Sequence, residues 1–307
     1  MKKRSLIAVL MAASMLLTAC DKKEDNKPNG NNAAVPQLSE SGLSRDIYQM
    51  YKDFMDYTFK GKYTISEPET AVYHSGTEYE QEIYTRNVTF TTKNGREMTE
   101  PLISTSFIAT DAEMMKTWDN QDIAEFDSFV TLTMGNIARD EFAERIVSKY
   151  ITDMEYNAVS DTFITPEAEL TILSYPPVYI GGLEESQFDK SVEIVKNRLS
   201  PESGYCIADA DLESICSSKD FTFSCKLILD EGVDSSKYIG IMENIIKDFE
   251  EMIGTPQNYS FFFGQVNNEE WYLRKMCMMG EEVPAEKIDS ADYSFSSELK
   301  AKIVEKY

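Results

Sequence analysis

The stretch EIYTRNVTFTTKNGREM, residues 82–98, leaves the chain little choice of local structure. β-Branched and aromatic side chains alternate on both sides of Asn94-Gly95. Asn-Gly accepts the positive φ angles of a tight type I′ hairpin. The pattern predicts three antiparallel strands at about 62–74, 79–92 and 97–109. Strands joined in hairpins, rather than alternating one by one with helices, point to an α+β fold and away from an α/β one.

The rest of the chain fits that class. In SRDIYQMYKDFMDYTFKG (44–61), Ile47, Tyr48, Tyr51, Phe54, Met55 and Phe59 fall at helical spacing, with Ser44 as N-cap and Gly61 as stop. Two helices are expected at 111–126 and 128–150, covering one face of the first sheet. A strand follows at 161–175, closed by Pro176-Pro177, and Gly181-Gly182 marks a break. Phe188, Val192, Val195 and Leu199 give another helix, ended by Ser200-Pro201 because the residue before proline is pushed out of the helical region.

FTFSCKLIL (221–229) alternates with Cys225 on its apolar side. The clearest helix is 234–253, with Tyr238, Met242, Ile245, Ile246, Phe249, Met252 and Ile253 on one face, Asp234 or Ser235 as cap, and Gly254 then Pro256 as terminator. YSFFFGQV and EEWYLRKMCMM are two further strands, joined through Asn267-Asn268. The expected architecture is α+β, antiparallel sheets with packed helices, in two subdomains at 43–178 and 179–307.

The first 42 residues carry a different message. Met1 to Arg4 make a basic start, Leu6 to Leu17 an apolar run, and Thr18-Ala19 a small-residue approach to Cys20, which is the pattern of a secretory signal. About 12 residues of helix at 1.5 Å each cover roughly 18 Å, too little for a ~30 Å hydrocarbon core. Leu17-Thr18-Ala19-Cys20 resembles the lipobox of bacterial lipoproteins. The resemblance implies cleavage between Ala19 and Cys20, removal of residues 1–19 as a signal peptide, and a diacylglyceryl group on the Cys20 thiol. Two acyl chains, at about 0.8 kcal/mol per buried methylene, give stable attachment where one does not.

Residues 20–42 then read as a lipidated cysteine followed by a disordered tether. DKKEDNKPNGNN has no apolar period with which to offset the entropy of ordering. The expected location is the extracytoplasmic face of a cell membrane, held there by the lipid on Cys20.

Cleavage would leave 27 basic against 53 acidic side chains. That balance disfavours nucleic acid, whose phosphates would be repelled until screened at about 8 Å. An envelope polymer, a peptide or a second envelope protein are the partners that remain. Four cysteines follow Cys20, namely Cys206, Cys216, Cys225 and Cys277; both free thiols and one or two disulfides are open to them, and their spacing matches no zinc pattern.

His74 is the only histidine, so a Ser-His or Cys-His nucleophile would have to use a residue that sits at a strand end before Ser75-Gly76. Carboxylate pairs such as Asp119 with Asp122, or Glu141 with Glu144, arise by chance on the helices of so acidic a chain. DADLES, with Asp209, Asp211 and Glu213, resembles a calcium loop, but Ser214 replaces the turn glycine, and a surface loop or helix cap is the simpler reading. No catalytic, cofactor-binding or metal-ligating residue is assigned; Cys20, as the lipidation site, is the only site residue. The sequence favours a non-catalytic binding module of the envelope over a carboxylate-based hydrolase or the solute receptor of an importer.

Overall fold

The computed structural model describes residues 51–74, 80–106, 112–175, 188–200, 206–265 and 271–283. The fold is α+β, with two sheets and packed helices. The first sheet is centred on β3 (Glu80–Thr91). β1 (Tyr63–Ile65) and β2 (Glu69–His74) share one edge of it, and β4 (Glu97–Ser106) runs along the other, all antiparallel. β4 carries Pro101 opposite Asn87, a residue without an amide donor placed on an edge strand, where it interrupts no ladder.

The expected type I′ turn is instead a three-residue loop. Gly95 N–H donates to the Thr92 carbonyl at 2.9 Å, and only Gly95, at φ 81°, takes the left-handed conformation. This is a type I turn closed by a glycine bulge. The Asn-Gly signal thus located the hairpin, and the extra residue changed its turn type.

Between the sheets runs α2 (Ala112–Arg145), one continuous helix where two were expected. The break was placed at residue 127, but neither side chain there caps a new helix. Asp127 accepts two hydrogen bonds from Arg198, at 2.9 and 2.6 Å, and the Ser128 hydroxyl donates back to the Ala124 carbonyl at 2.8 Å. Phe126 and Phe129 reach towards α1 (Lys52–Thr58) and Phe59, while Phe142 reaches Phe223 and Phe261 of the second sheet. Apolar residues on more than one side fit a helix packed between layers rather than on a surface. α2 runs tight against the second sheet at Gly135, where a Cβ would stand 2.5 Å from the Ser174 carbonyl oxygen.

The second sheet has seven strands in the order β11-β10-β9-β8-β7-β6-β5. They are β5 (Glu155–Asn157), β6 (Thr162–Ile164), β7 (Ala168–Tyr175), β8 (Thr222–Leu229), β9 (Tyr259–Gln265), β10 (Trp271–Met278) and β11 (Glu281–Glu282). All pairs are antiparallel except β8 with β9, so the sheet is mixed. That parallel pair needs a crossover, which α5 (Ser235–Ile253) supplies.

α5 is capped by Asp234, whose carboxylate accepts from Ser236 N–H, and ends at Gly254 with φ 75°. Its Met242, Ile245 and Phe249 are fully buried against the β8–β9 face. α3 (Phe188–Arg198) and α4 (Leu212–Ser217) complete the helices. Strands from both sides of position 178, the expected boundary between subdomains, share this sheet, and one apolar cluster runs from Phe54 to Cys277.

Candidate functional site

A groove of about 700 Å³ opens where the β3–β4 turn meets the end of α2 and the start of α4. Met98 and Ile137 form its apolar floor. Its walls carry five carboxylates, Asp140, Glu141, Glu144, Asp211 and Glu213, against two guanidinium groups, Arg96 and Arg145. The turn supplies one wall, because the loop that reverses the hairpin sends three polar side chains, those of Lys93, Asn94 and Arg96, toward the helices. Lys93 pairs with Asp211, Asn94 donates to Glu141 at 2.5 Å, and Arg96 reaches Asp140 at 3.1 Å.

Glu141 is the hub. Its second oxygen accepts from Arg145 and from the Leu212 amide, each at 3.0 Å. Arg145 also grips Glu213 with two nitrogens, at 2.7 and 2.5 Å. Asp211 caps α4 by accepting from Ser214 N–H at 2.9 Å while its own amide donates to the Ser214 hydroxyl at 3.0 Å.

These contacts fix charge states. Arg145 holds the Glu213 carboxyl below its ordinary value, against a smaller opposing effect of burial. Glu213, and then Glu141, push the Arg145 guanidinium further up. Burial acts to raise the Asp211 carboxyl, but Lys93 and the Ser214 amide and hydroxyl together bring it below the usual range. Glu144 is different: it lies exposed on the rim, and no side chain among the described residues pairs with it.

One turn back along α2 stands a second polar cluster. Glu100 lies on the inward side of β4 between Met98 and Leu102, opposite Val88, and accepts from Asn136 at 3.0 Å. Burial pushes its carboxyl up to about 7, opposed by Asn136 and Arg139 and assisted by Asp140 and Asp161. Arg139 bridges Asp140 at 2.9 Å and Asp161 at 2.6 Å, and lies 4.8 Å over the Tyr156 ring. Burial, together with the hydrogen bond to Asp161, raises the Tyr156 phenol to about 12.

The structure brings Glu141 and Glu144 to the same groove, in unequal roles. It separates the carboxylates of DADLES: Asp209 pairs with Lys60, Asp211 caps α4, and Glu213 pairs with Arg145. A helix cap, not a calcium loop, accounts for that segment. No cluster that could hold a metal occurs among the described residues.

His74 ends β2. Asp119 and Asp122 lie on α2, but their side chains are outside the described residues, as are Cys20 and the whole of 1–50. Cys206 is a half-buried free thiol, and Cys216, Cys225 and Cys277 are buried free thiols; burial raises the Cys216 and Cys225 thiols far from reactivity. Tyr259, Phe261, Phe262 and Phe263 are all buried rather than displayed.

Sequence reasoning missed Glu100 and the Lys93–Asn94 contacts. Glu100 had a signal: a charged residue on the apolar side of an alternating strand, between Met98 and Leu102. No helix of the described residues is long and apolar enough to cross a membrane. The chain matches no protein-family profile, no curated protein and no solved structure.

Proposed function

We propose that this chain is a lipid-anchored, extracytoplasmic envelope protein whose ectodomain binds a ligand without transforming it, and that the groove between the 92–96 turn, α2 and α4 is its binding site. The anchor rests on Leu17-Thr18-Ala19-Cys20 and the polar tether after it. The binding reading is carried by the state of the groove walls. Their charges are locked in mutual ion pairs that hold Asp211, Glu213 and Arg145 ionised, which builds a fixed acidic rim over an apolar floor rather than a pair of groups poised to exchange a proton. The ligand such a surface accepts is a cationic one with an apolar stem, as in a Lys- or Arg-bearing peptide segment, with Glu144 as the unengaged carboxylate to meet it.

Two experiments test the two halves. Cys20→Ala should abolish acyl labelling and detergent partitioning; unmodified Cys20 in a soluble mature form would remove the anchor. Titration with Lys- and Arg-containing peptides should saturate with the intact chain and weaken strongly with Glu144→Lys. Equal binding by that variant would remove the groove.

A second reading is favoured by Glu100. A carboxyl that keeps its proton near neutrality is what a carboxylate hydrolase needs as its general acid. Turnover of a glycan, ester or peptide substrate that Glu100→Gln abolishes would promote the hydrolase.

A further inference from the structure

Arg139 stands at the junction between Glu100 and the groove. Asn136 and Arg139 lie one turn apart on α2, and Asn136 holds one Glu100 oxygen at 3.0 Å. The other Glu100 oxygen and the Nη2 nitrogen of Arg139 have no hydrogen-bond partner among the described residues. On its other side Arg139 reaches Asp140, which lines the groove and pairs there with Arg96 at 3.1 Å. A chain of charged side chains thus runs from the inward side of β4 to the groove wall.

The charges along that chain balance in one state only. While Glu100 keeps its proton, Arg96 and Arg139 offset Asp140 and Asp161. Loss of the proton leaves three anions against the same two cations, an imbalance that a further cation would relieve. The other elements around Glu100 do not relieve it: β3 places Val88 opposite, its Arg86 two residues away donates to the Ser66 carbonyl at 3.3 Å, and burial keeps the Tyr156 phenol of β5 protonated. Burial raises the Glu100 carboxyl to about 7, so the change of state falls near neutrality.

We infer that this network couples the groove to a proton: a cationic ligand at Asp140 and an ionised Glu100 favour one another, with Arg139 as the positioning residue between them. The inference rests on the reading of the groove as a cation site. Arg139 is anchored to the β5–β6 hairpin, where Nη1 donates to Asp161 at 2.6 Å and the guanidinium lies 4.8 Å over the Tyr156 ring. Its Nε bond to Asp140, at 2.9 Å, joins adjacent residues, which do not face each other on a helix, and is the contact most easily given up. Ionised Glu100, its proton lost to solvent, attracts the unengaged Nη2, and the guanidinium turns about Asp161 away from Asp140. Asp140 is then left with Arg96, a half-exposed cation that a Lys or Arg of the ligand can replace.

The coupling is reciprocal, so bound ligand also favours ionisation of Glu100. Affinity for cations therefore rises with pH through about 7. Asp211 and Glu213 are held below the usual carboxylate range and do not titrate there.

The test is calorimetric titration of the intact chain with acetyl-Arg-Leu-Arg-amide, which has no group titrating near neutrality, from pH 5.5 to 8.5 in two buffers of different ionisation enthalpy. Affinity should rise about fivefold or more across that range, and binding near pH 6.5 should release protons to the buffer. Glu100→Gln should flatten the profile and abolish the release. The same profile in both proteins overturns the coupling and leaves the groove standing; no binding at any pH overturns the groove and the coupling with it. Should Glu100→Gln not fold, the Arg139 Nε–H resonance of the intact, ligand-free chain decides. A midpoint near 7, with the amides of 92–96 moving in step, supports the network; a signal constant from pH 5.5 to 8.5 overturns it.

Discussion

Glu100→Gln should stabilise the protein above neutral pH and do little at pH 5. The Glu100 carboxyl sits among Met98, Leu102 and Val88 with one neutral donor, Asn136, and burial raises it from 4.5 to about 7. Between those two values the unfolded chain releases a proton that the folded chain keeps. Stability therefore falls as pH rises through that window and levels off above about 7. At about 1.36 kcal/mol per pH step, the rise from 4.5 to about 7 corresponds to about 3 kcal/mol, reduced to about 2 because solvent partly reaches the group.

Glutamine keeps the acceptor for Asn136 and carries no charge to desolvate, so the variant should lose this slope. The assay is urea denaturation at half-unit steps from pH 5 to 9, comparing the two proteins at constant ionic strength. The difference should be small at pH 5, about a quarter of its full size, grow through pH 6 and 7, and plateau at ~2 kcal/mol. A difference that is the same at pH 5 and pH 8 would refute the reasoning, since a packing effect does not titrate.

Three further outcomes follow from the packing. Gly135→Ala should cost about 1–3 kcal/mol, because its Cβ meets the Ser174 carbonyl at 2.5 Å and a strand backbone cannot swing aside; a loss below about 0.5 kcal/mol by denaturation would mean that α2 stands off the sheet. Phe249→Ala should cost about 3–5 kcal/mol in the same assay, since the ring is fully buried among Phe142, Phe223, Tyr259 and Phe261. Thr222→Val should raise stability by about 1 kcal/mol, because the buried Thr222 hydroxyl has no hydrogen-bond partner and its removal relieves the desolvation penalty; a destabilised variant would reveal a partner for that hydroxyl.

Much of the fold is legible in the sequence because two periods carry it. Alternation located β3, β4 and β8, and four-residue recurrence located α5 with its Asp234 cap and Gly254 stop. Legibility failed where a tertiary partner overrode a local signal. α2 reads as two helices until Arg198, from another helix, claims the Asp127 side chain. Nothing in the stretch 221–229 tells that β8 pairs in parallel with β9, because its alternation gives the strand one apolar side whichever way its partner runs. The groove was the least visible part. Glu141 and Glu144 look alike in a chain with 53 acids, and only the arrival of Asn94, Arg145 and the Leu212 amide makes one a buried hub while the other stays on the rim.

How the groove is held bears on how it can respond. Lys93–Asp211 and Arg96–Asp140 each have a half-exposed cation, and pairs of that kind contribute no more than about 1 kcal/mol apiece. The hairpin is held instead by apolar contact: Phe90 packs on Phe59, Phe59 on Phe129 of α2, and Met98 and Leu102 are buried beside them. Burying such side chains contributes about 1.5–3 kcal/mol each. The polar contacts therefore do not decide whether the hairpin docks; they decide where its tip points. A cationic ligand that competes with Lys93 or Arg96 for the carboxylates can turn the tip without loosening the core beneath it. Binding that displaces these two cations should accordingly shift backbone resonances of residues 92–96 while leaving those of Phe90 and Leu102 in place.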